Sequence, residues 1–425
     1  MTRPIPLQDH KNAMKLGIIG GGAAGLMAAA AAQSADPNVE IFLIDRNDGL
    51  GKKVIISGGG RCNVTTGIQN AREVLTRYPR GGKFLLSAMH QFPPDQVYAW
   101  FEAHGVPLKV EEDLRVFPQS NNGKDIVRVF ETLFKTPRVH TLLKHAVREV
   151  TKDDDGFHIF FKDESPPLLV ARVMITTGGQ AYRHTGSVGD GYSFAQALGH
   201  TITPLAASLN SFGTRETWPA QLSGVSFERA AISAVGPKRA SYTGPVLFTH
   251  KGVSGPAVFA LSSLVAFQTY DKEHPLEIAI DLFPDTSADE LHAQVQMALA
   301  SNAKKSFLNC LVGLIPRSLA EVLCAQLGIP AEKKAGDMYK KSVQQCVRWL
   351  KAIPLHVVAR GAGDEFVTAG GVTLSEVNPA TMESTICPGL FFAGEILDID
   401  GFTGGFNLQS SWATGRLAGE HAVTG

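Results

Sequence analysis

Apolar residues change their spacing several times along the chain, and each change marks the border of an element. From Leu16 to Ile19 they run unbroken, as in a strand covered on both faces. Gly20, Gly21 and Gly22 end that run, an alanine-rich stretch over Ala28 to Ala32 follows, and a second apolar run spans Val39 to Ile44. The order is strand, turn, helix, strand. Between Ala71 and Trp100 the apolar positions Phe84, Leu85, Met89, Phe92, Val97 and Trp100 recur at mostly helical intervals, broken at Pro79 and Pro93-Pro94. Leu108 to Phe117 alternates like a strand pair, and Asp125 to Phe134 is an amphipathic helix. Strands are predicted near Val139 to Leu143 and Phe157 to Phe161, with Asp153-Asp154-Asp155-Gly156 as a solvated hairpin tip.

From Thr201 to about Asp285 the pattern becomes many short β-like runs, among them Ser226 to Ser233 and Leu276 to Leu282, separated by Gly, Pro and Ser turns. Ser287 to Ile353 is helical instead, with Leu308, Leu311, Leu314, Leu319, Val322 and Leu323 at helical spacing. A lid, a partner-facing surface and a plain spacer are all open for it. A buried strand at Gly389 to Phe392 and a last helix then return to the first pattern. The expected division is a disordered tail over 1–14, a discontinuous nucleotide-binding domain over 15–200 and 354–425, an inserted β domain over 201–286 and a helical insertion over 287–353.

The turn after the first strand carries the chemistry. Gly20, Gly22 and Gly25, with Ala23 and Ala24 between, form G-x-G-x-x-G on a strand-to-helix turn. The first glycine makes the tight turn, the second admits a pyrophosphate against the backbone, and the third lets helix and strand pack closely. The helix start offers free amides and a positive dipole end to the phosphates. Asp45 ends the second strand about twenty residues past Gly25, where the motif expects a carboxylate for an adenosine ribose. A second glycine loop, Ser57-Gly58-Gly59-Gly60-Arg61-Cys62-Asn63, reads as another clasp on the dinucleotide, with Arg61 supplying charge, or as a flexible surface turn. Gly189-Asp190-Gly191 precedes a helix, and Asp190 either caps it or holds a cofactor hydroxyl.

Charge and composition narrow the partners. The 425 residues hold 40 Lys plus Arg against 40 Asp plus Glu, so no global field recruits nucleic acid or an anionic membrane. Neither is an expected partner. No apolar run approaches the roughly 18 residues of a membrane span, and the first fourteen residues lack the apolar core of a signal peptide. A cytoplasmic location is expected. The 5 cysteines are odd in number and without metal or redox spacing, which predicts reduced thiols. The 13 histidines include no H-x-x-x-H pair on a helix, so no metal site is expected.

Read together, GKKVIISGGGRCNVT from Gly51 to Thr65 and the dinucleotide motif before it resemble the BaiN-type, aminoacetone-oxidase-like family of NAD(P)/FAD-dependent oxidoreductases. That family lies within the superfamily of two-dinucleotide-binding-domain flavoproteins. Further matches are R-x-F-P at Arg115 to Pro118, L-F-T-H-x-G-x-S-G-P at Leu247 to Pro256, V-T-A-G-G-V at Val367 to Val372 and A-G-E at Ala393 to Glu395. The resemblance implies an α/β fold: a glutathione-reductase-like, discontinuous FAD-binding Rossmann domain with an inserted β domain and a small helical domain. It also implies FAD contacts at Asp45, Arg46, Lys52, Ser57, Gly58, Gly59, Arg61, Cys62, Asn63 and Val147 beside the first glycines. Later contacts implied are Thr177, Gly178 and Gly179, where the chain passes beneath the cofactor, then Gly394, Glu395 and Asp400, and finally Gly404, Gly405, Phe406, Asn407 and Leu408 at the last helix.

Glycines at that helix start bring amides against the flavin pyrimidine edge, where negative charge gathers on reduction. Tyr182, Arg183, His184 and His250 are candidate catalytic residues by chemistry and by family position, the other readings being plain surface-loop residues for the first three and a tight β-to-α connection for the segment of His250. Arg115 either reaches the active site or only pairs with Glu111 or Glu112. Asp45 stands where the family more often has Glu. The implied activity is hydride transfer through flavin N5 to a small-molecule substrate with NAD(P)H as donor; no second complete G-x-G-x-x-G follows a strand, so no permanent NAD domain is expected, and the nicotinamide binds either transiently or not at all. Two rivals are an FAD-dependent RNA-modifying enzyme, which would use basic clusters such as Lys144 to Arg148 and Arg72 to Lys83, and a flavin-binding protein without turnover.

Overall fold

A computed structural model describes residues 13–236, 240–361 and 366–424. The tail expected over 1–14 lies, through residue 12, outside the described residues. The chain forms two compact units, Met1–Ala206 with Val367–Gly425, and Ala207–Phe366.

The first unit is built on a five-stranded sheet in the spatial order Leu390–Phe392, Arg172–Ile175, Lys15–Ile19, Glu40–Asp45, Val139–Leu143. Every pairing in it is parallel. Sheets of this kind are covered on both faces, which is why these strands read as continuous apolar runs. One face carries the helix Ala23–Ala35, and against that helix lies the last one, Phe406–Thr424. Small residues set how near they come: a Cβ on Gly415 would stand 2.4 Å from the Ala24 carbonyl oxygen, and one on Gly419 2.3 Å from that of Ala28. On the other face, a Cβ on Gly17 would meet Ile159 at 2.7 Å, placing there the antiparallel sheet of Val147–Asp153, Gly156–Phe161 and Leu168–Val170. The aspartate run does form the tip of its first hairpin, with Asp154 and Asp155 exposed. The hairpin partner of Gly156–Phe161 is Val147–Asp153, however, while Val139–Leu143 pairs in the parallel sheet.

Buried in the same unit, the His200 imidazole meets Glu376 Oε2 at 3.2 Å through Nδ1 and Ser384 Oγ at 2.8 Å through Nε2. Burial pushes it below its ordinary value despite the neighbouring carboxylate. The unfolded chain thus takes up a proton that the folded chain refuses. The contribution of His200 to stability is complete above its unfolded value of about 6.5 and declines as pH falls below that. Urea unfolding between pH 7 and 5 should therefore show a loss of stability that His200→Gln reduces; an identical pH slope in the variant would count against this.

The second unit is a closed antiparallel barrel of Phe212–Thr214, Gly252–Ser254, Ser241–Thr249, Ser226–Ala234, Leu276–Asp281 and Ile353–Arg360. The expected return to the first domain at 354 is corrected to 367, because Ile353–Arg360 pairs with both Leu276–Asp281 and Phe212–Thr214 and closes the barrel. Neither are the helices a domain of their own. Ala288–Ala300, Phe307–Leu311, Arg317–Gln326 and Lys340–Lys351 share one apolar core with the barrel, in which Leu291, Leu319 and Trp349 join Ile278, Ile280 and Trp218. Among the described residues no helix is long and apolar enough to cross a membrane.

Candidate functional site

The parallel sheet puts the ends of four strands on one edge. Beyond the carboxyl ends of Lys15–Ile19, Glu40–Asp45, Arg172–Ile175 and Leu390–Phe392 stand Gly20, Asp45, Thr177 and Gly394. That edge is where open α/β sheets bind ligands.

The three glycines of the first turn differ in their surroundings. A Cβ on Gly20, at φ +111°, would lie 2.5 Å from the Thr176 carbonyl oxygen; one on Gly25 would lie 1.9 Å from that of Gly20. Above Gly22 there is nothing within 4 Å. Two glycines are thus demanded by packing and the middle one by open space, which suits a pyrophosphate on the start of the Ala23–Ala35 helix. Ala23 and Ala24 are buried beneath it, and a Cβ on Gly394 would meet Ala24 at 2.8 Å.

Asp45 accepts from the Gly21 amide through Oδ2 and from the Asn47 amide through Oδ1, both at 2.8 Å. Each oxygen keeps a lone pair for a ribose hydroxyl. Val147 is buried at the start of its strand, and the loop before it is tied to this corner by the His145 amide on the Asp45 carbonyl, 3.0 Å. Arg46 pairs with Asp190 at 3.3 Å, and Lys52 with Asp48 at 2.8 Å. Asp190 is the first residue of the helix Asp190–Ala197 and makes no capping bond, so the capping reading gives way to the ion pair.

In the second glycine loop, Gly58, Gly59 and Gly60 have φ of +57°, +72° and +87°, and a Cβ on Gly59 or Gly60 would meet nothing within 4 Å. Ser57 Oγ donates to the Val54 carbonyl at 2.8 Å, and Asn63 Oδ1 accepts from the Val116 amide at 3.3 Å. Arg61 turns away from a phosphate role: it pairs with Glu111 at 2.7 Å and lies 3.8 Å over the Phe117 ring. Arg115 bonds Glu111 and Asp113 on the same side, at 3.3 and 2.6 Å. Burial pushes the Cys62 thiol up to about 12. It stays protonated at neutral pH and is no nucleophile.

At the far side, Gly178 has φ +71°, a Cβ on Gly191 would meet Thr177 Oγ1 at 2.0 Å, and one on Gly179 would meet Thr368 Oγ1 at 2.3 Å and Glu395 Oε1 at 2.9 Å. Glu395 accepts from the Thr368 amide at 2.9 Å and from Lys53 Nζ at 2.8 Å. Lys53 and Thr368 were not expected at the site. Lys53 Nζ also stands 5.8 Å from the centre of the Tyr182 ring. Tyr182 is half-buried in the left-handed region, at φ +56°, with the His184 ring 5.6 Å away. Arg183 and His184 are exposed, Arg183 bonding Gln180 Oε1 at 3.2 Å. His250 belongs to the other unit, exposed at the tip of the hairpin that joins Ser241–Thr249 to Gly252–Ser254.

The last helix begins behind Gly404 and Gly405, at φ +129° and +90°. A Cβ on Gly405 would strike the Thr65 carbonyl oxygen at 2.2 Å. The Phe406, Asn407 and Leu408 amides precede the first intrahelical bond, from Gln409 to Gly405, and stay available to a ligand. Asn407 clamps the approach by bonding both the amide and the carbonyl of Gly401 at 2.8 Å. Tyr78 Oη donates to the Phe406 carbonyl at 2.7 Å. Asp400 is fully buried and takes both of its oxygens to Arg80, a second partner that no local pattern announced.

Four side-chain atoms of this unit, Arg77 Nε, His158 Nε2, Tyr192 Oη and Asp398 Oδ1, are buried without a hydrogen-bond partner among the described residues, and Tyr192 and Asp398 are the two whose carboxylate neighbours include a residue of this site. Burial pushes both groups up, Tyr192 with help from the Glu395 and Asp398 carboxylates. Glycines that a Cβ would turn into clashes, open space over Gly22 and orphaned polar atoms together fit a dinucleotide cofactor. Among the described residues no His, Cys, Asp and Glu group could hold a metal.

Comparison with known proteins agrees with this geometry. The model of the HI0933-like protein Rossmann domain matches residues 14–421. A 3-dehydro-bile acid delta(4,6)-reductase of Clostridium scindens is 28% identical over 96% of this chain and 99% of its own. A ribosomal RNA dihydrouridine synthase of Haemophilus influenzae is 30% identical over 93% of this chain and 95% of its own. In fold, the chain is similar to the 3-ketosteroid delta1-dehydrogenase of Sterolibacterium denitrificans, with a TM-score of 0.50 at 12% identity over 97% of this chain and 100% of that one. The chain belongs to the HI0933-like family, the flavoprotein group that its glycine motifs resemble, and with that family to the FAD-dependent oxidoreductases.

Proposed function

We propose that the protein saturates a carbon–carbon double bond conjugated to a carbonyl in a small organic substrate, with NAD(P)H as the electron donor. The observation that carries this reading is the helix start at Phe406 behind Gly404 and Gly405, whose free amides favour negative charge on the ligand edge they face. FAD, when bound, supplies the two-electron transfer. The names of the two relatives, a delta(4,6)-reductase and a dihydrouridine synthase, both describe saturation of a ring double bond. Saturation needs a proton as well as a hydride, and Tyr182 Oη is the donor we assign. Its backbone is held in a conformation that non-glycine residues rarely adopt, and the Lys53 ammonium stands 5.8 Å from the centre of its ring. Lys53 is itself held in place by Glu395. With one glycine turn only, the nicotinamide nucleotide binds transiently and leaves before the substrate enters.

Anaerobic spectroscopy of the holoenzyme tests both halves. One of NADH and NADPH should bleach the flavin, and a cyclic enone should restore its colour. Failure of both nucleotides sinks the donor assignment; bleached protein that no cyclic enone reoxidises sinks the substrate class. Tyr182→Phe should slow the enone step about 10²- to 10⁴-fold while the nucleotide step keeps its rate. Equal slowing of the two steps would remove Tyr182 from the proton path. A ring double bond carried within RNA is the second reading, favoured by the name of the Haemophilus influenzae relative.

A further inference from the structure

A net charge of zero for the chain conceals an uneven distribution. Between residues 301 and 351 the sequence has 9 Lys or Arg against 3 acids, Glu321, Glu332 and Asp337. The fold concentrates that excess. Residues 303–307 run antiparallel beside 333–336: the Phe307 amide donates to the Lys333 carbonyl at 2.7 Å, the Ala335 amide to Lys305 at 2.9 Å, and the Gly336 amide to Ala303 at 3.0 Å. Ser306 and Lys334 form a bridge between the two segments. Two lysine pairs far apart in sequence, Lys304-Lys305 and Lys333-Lys334, thus share one small surface, and Lys340-Lys341 follow at the start of the next helix.

Five of these six lysines are exposed and Lys333 is half-buried. The lysine ion pairs among the described residues lie elsewhere, Lys52 with Asp48, Lys53 with Glu395 and Lys351 with Asp281. Among the lysines stands Tyr339, 74% exposed, its ring 5.5 Å from Lys333 Nζ. An aromatic side chain left in water leaves apolar area unburied, and among the described residues nothing covers most of this one. The same stretch also carries the exposed acids Glu332 and Asp337, so the lysines outnumber the acids six to two, and with Asn302, Asn309 and Gln344 nearby in sequence the surface lacks the broad apolar face with which a helix inserts into a lipid interface.

We infer that this face of the second unit binds RNA, with the six lysines on phosphates and Tyr339 stacking on an unpaired base. Unpaired bases splayed onto an aromatic side chain, with basic groups tracking the backbone, are the usual way single-stranded segments are held. The inference is independent of which molecule the flavin reduces. It also changes the expectation drawn from net charge, because a balanced total permits a concentrated local field.

The test is fluorescence anisotropy of the FAD-loaded protein with a labelled single-stranded RNA of mixed sequence, over a range of salt concentrations. Binding should weaken with salt with a log–log slope of about −4, since each phosphate contact on a single strand contributes about −0.7. Neutralising four contacts in Lys304→Gln/Lys305→Gln/Lys333→Gln/Lys334→Gln should bring the slope to about −1.4. Tyr339→Ala should weaken binding about five- to a hundredfold, the worth of one stacked base, and leave the slope unchanged. A control with four exchanges in the first unit, Lys109→Gln/Lys124→Gln/Lys135→Gln/Lys162→Gln, should bind as the parent does. An unaltered thermal unfolding profile followed by circular dichroism certifies that each variant is folded. Absence of binding at low salt, or an equal loss in the control, overturns the inference. So does a preference for anionic phosphatidylserine vesicles over RNA.

Discussion

Gly22→Asp is expected to fold and to purify without flavin. The residue has φ −82°, which any L-residue adopts, and a Cβ there meets nothing within 4 Å, so the chain itself does not register the change. A ligand lying over the turn does. A carboxylate brought to about 4 Å from a phosphate charge costs about 4 kcal/mol at an effective dielectric of about 20, roughly a thousandfold in Kd. The measurement is the ratio of visible to ultraviolet absorbance after purification, set beside the thermal midpoint of flavin-stripped parent protein. We expect no flavin band and an unchanged midpoint. Full flavin content would show that the pyrophosphate does not lie over Gly22. Gly25→Val makes the contrast, because its Cβ would stand 1.9 Å from the Gly20 oxygen and the helix must move off the sheet. That variant should lose stability along with its flavin.

Arg80→Ala is expected to be the most destabilising surface-reaching exchange in the first unit. Asp400 is completely buried and its two oxygens face the Arg80 guanidinium, which is 17% exposed. Removing the arginine leaves a carboxylate out of water without its countercharge, an effect of about 3–5 kcal/mol. Replacement of both partners by apolar residues, Arg80→Met/Asp400→Leu, should recover part of that loss, since no charge is then stranded. Arg80→Lys should not, because one ammonium cannot reproduce a two-bond fork. Urea midpoints of the four proteins check the series. A loss under about 1 kcal/mol in Arg80→Ala, the value of an exposed pair, would mean that Asp400 is satisfied by other means.

What could be read from the sequence follows the distance over which each feature is encoded. Gly20, Gly22, Gly25 and Asp45 belong to one strand–helix–strand unit, so spacing alone carries the cradle and its direction of use. Glu395 was legible as a residue, but its partner Lys53 is 342 positions away, and Arg80 and Asp400 are separated by 320. No periodicity links such pairs. Arg61 illustrates the converse: a basic residue inside a glycine loop suggests a phosphate, yet Glu111 and the Phe117 ring occupy its guanidinium. The barrel was visible as a set of short strands, whereas its sixth, Ile353–Arg360, was placed with the wrong domain because the helices before it mask its pairing with Leu276–Asp281.

The seating of Gly415 and Gly419 on Ala24 and Ala28 has a consequence for biosynthesis. The helix that begins the nucleotide cradle is synthesised well before the helix that covers it. Until Phe406–Thr424 has emerged, the nascent chain holds a glycine turn whose alanine ridge lacks that neighbour. The intervening unit, with a core of its own, can fold during that wait. Flavin loading therefore awaits synthesis of that helix, and a chain cut before Phe406 is expected to hold no flavin.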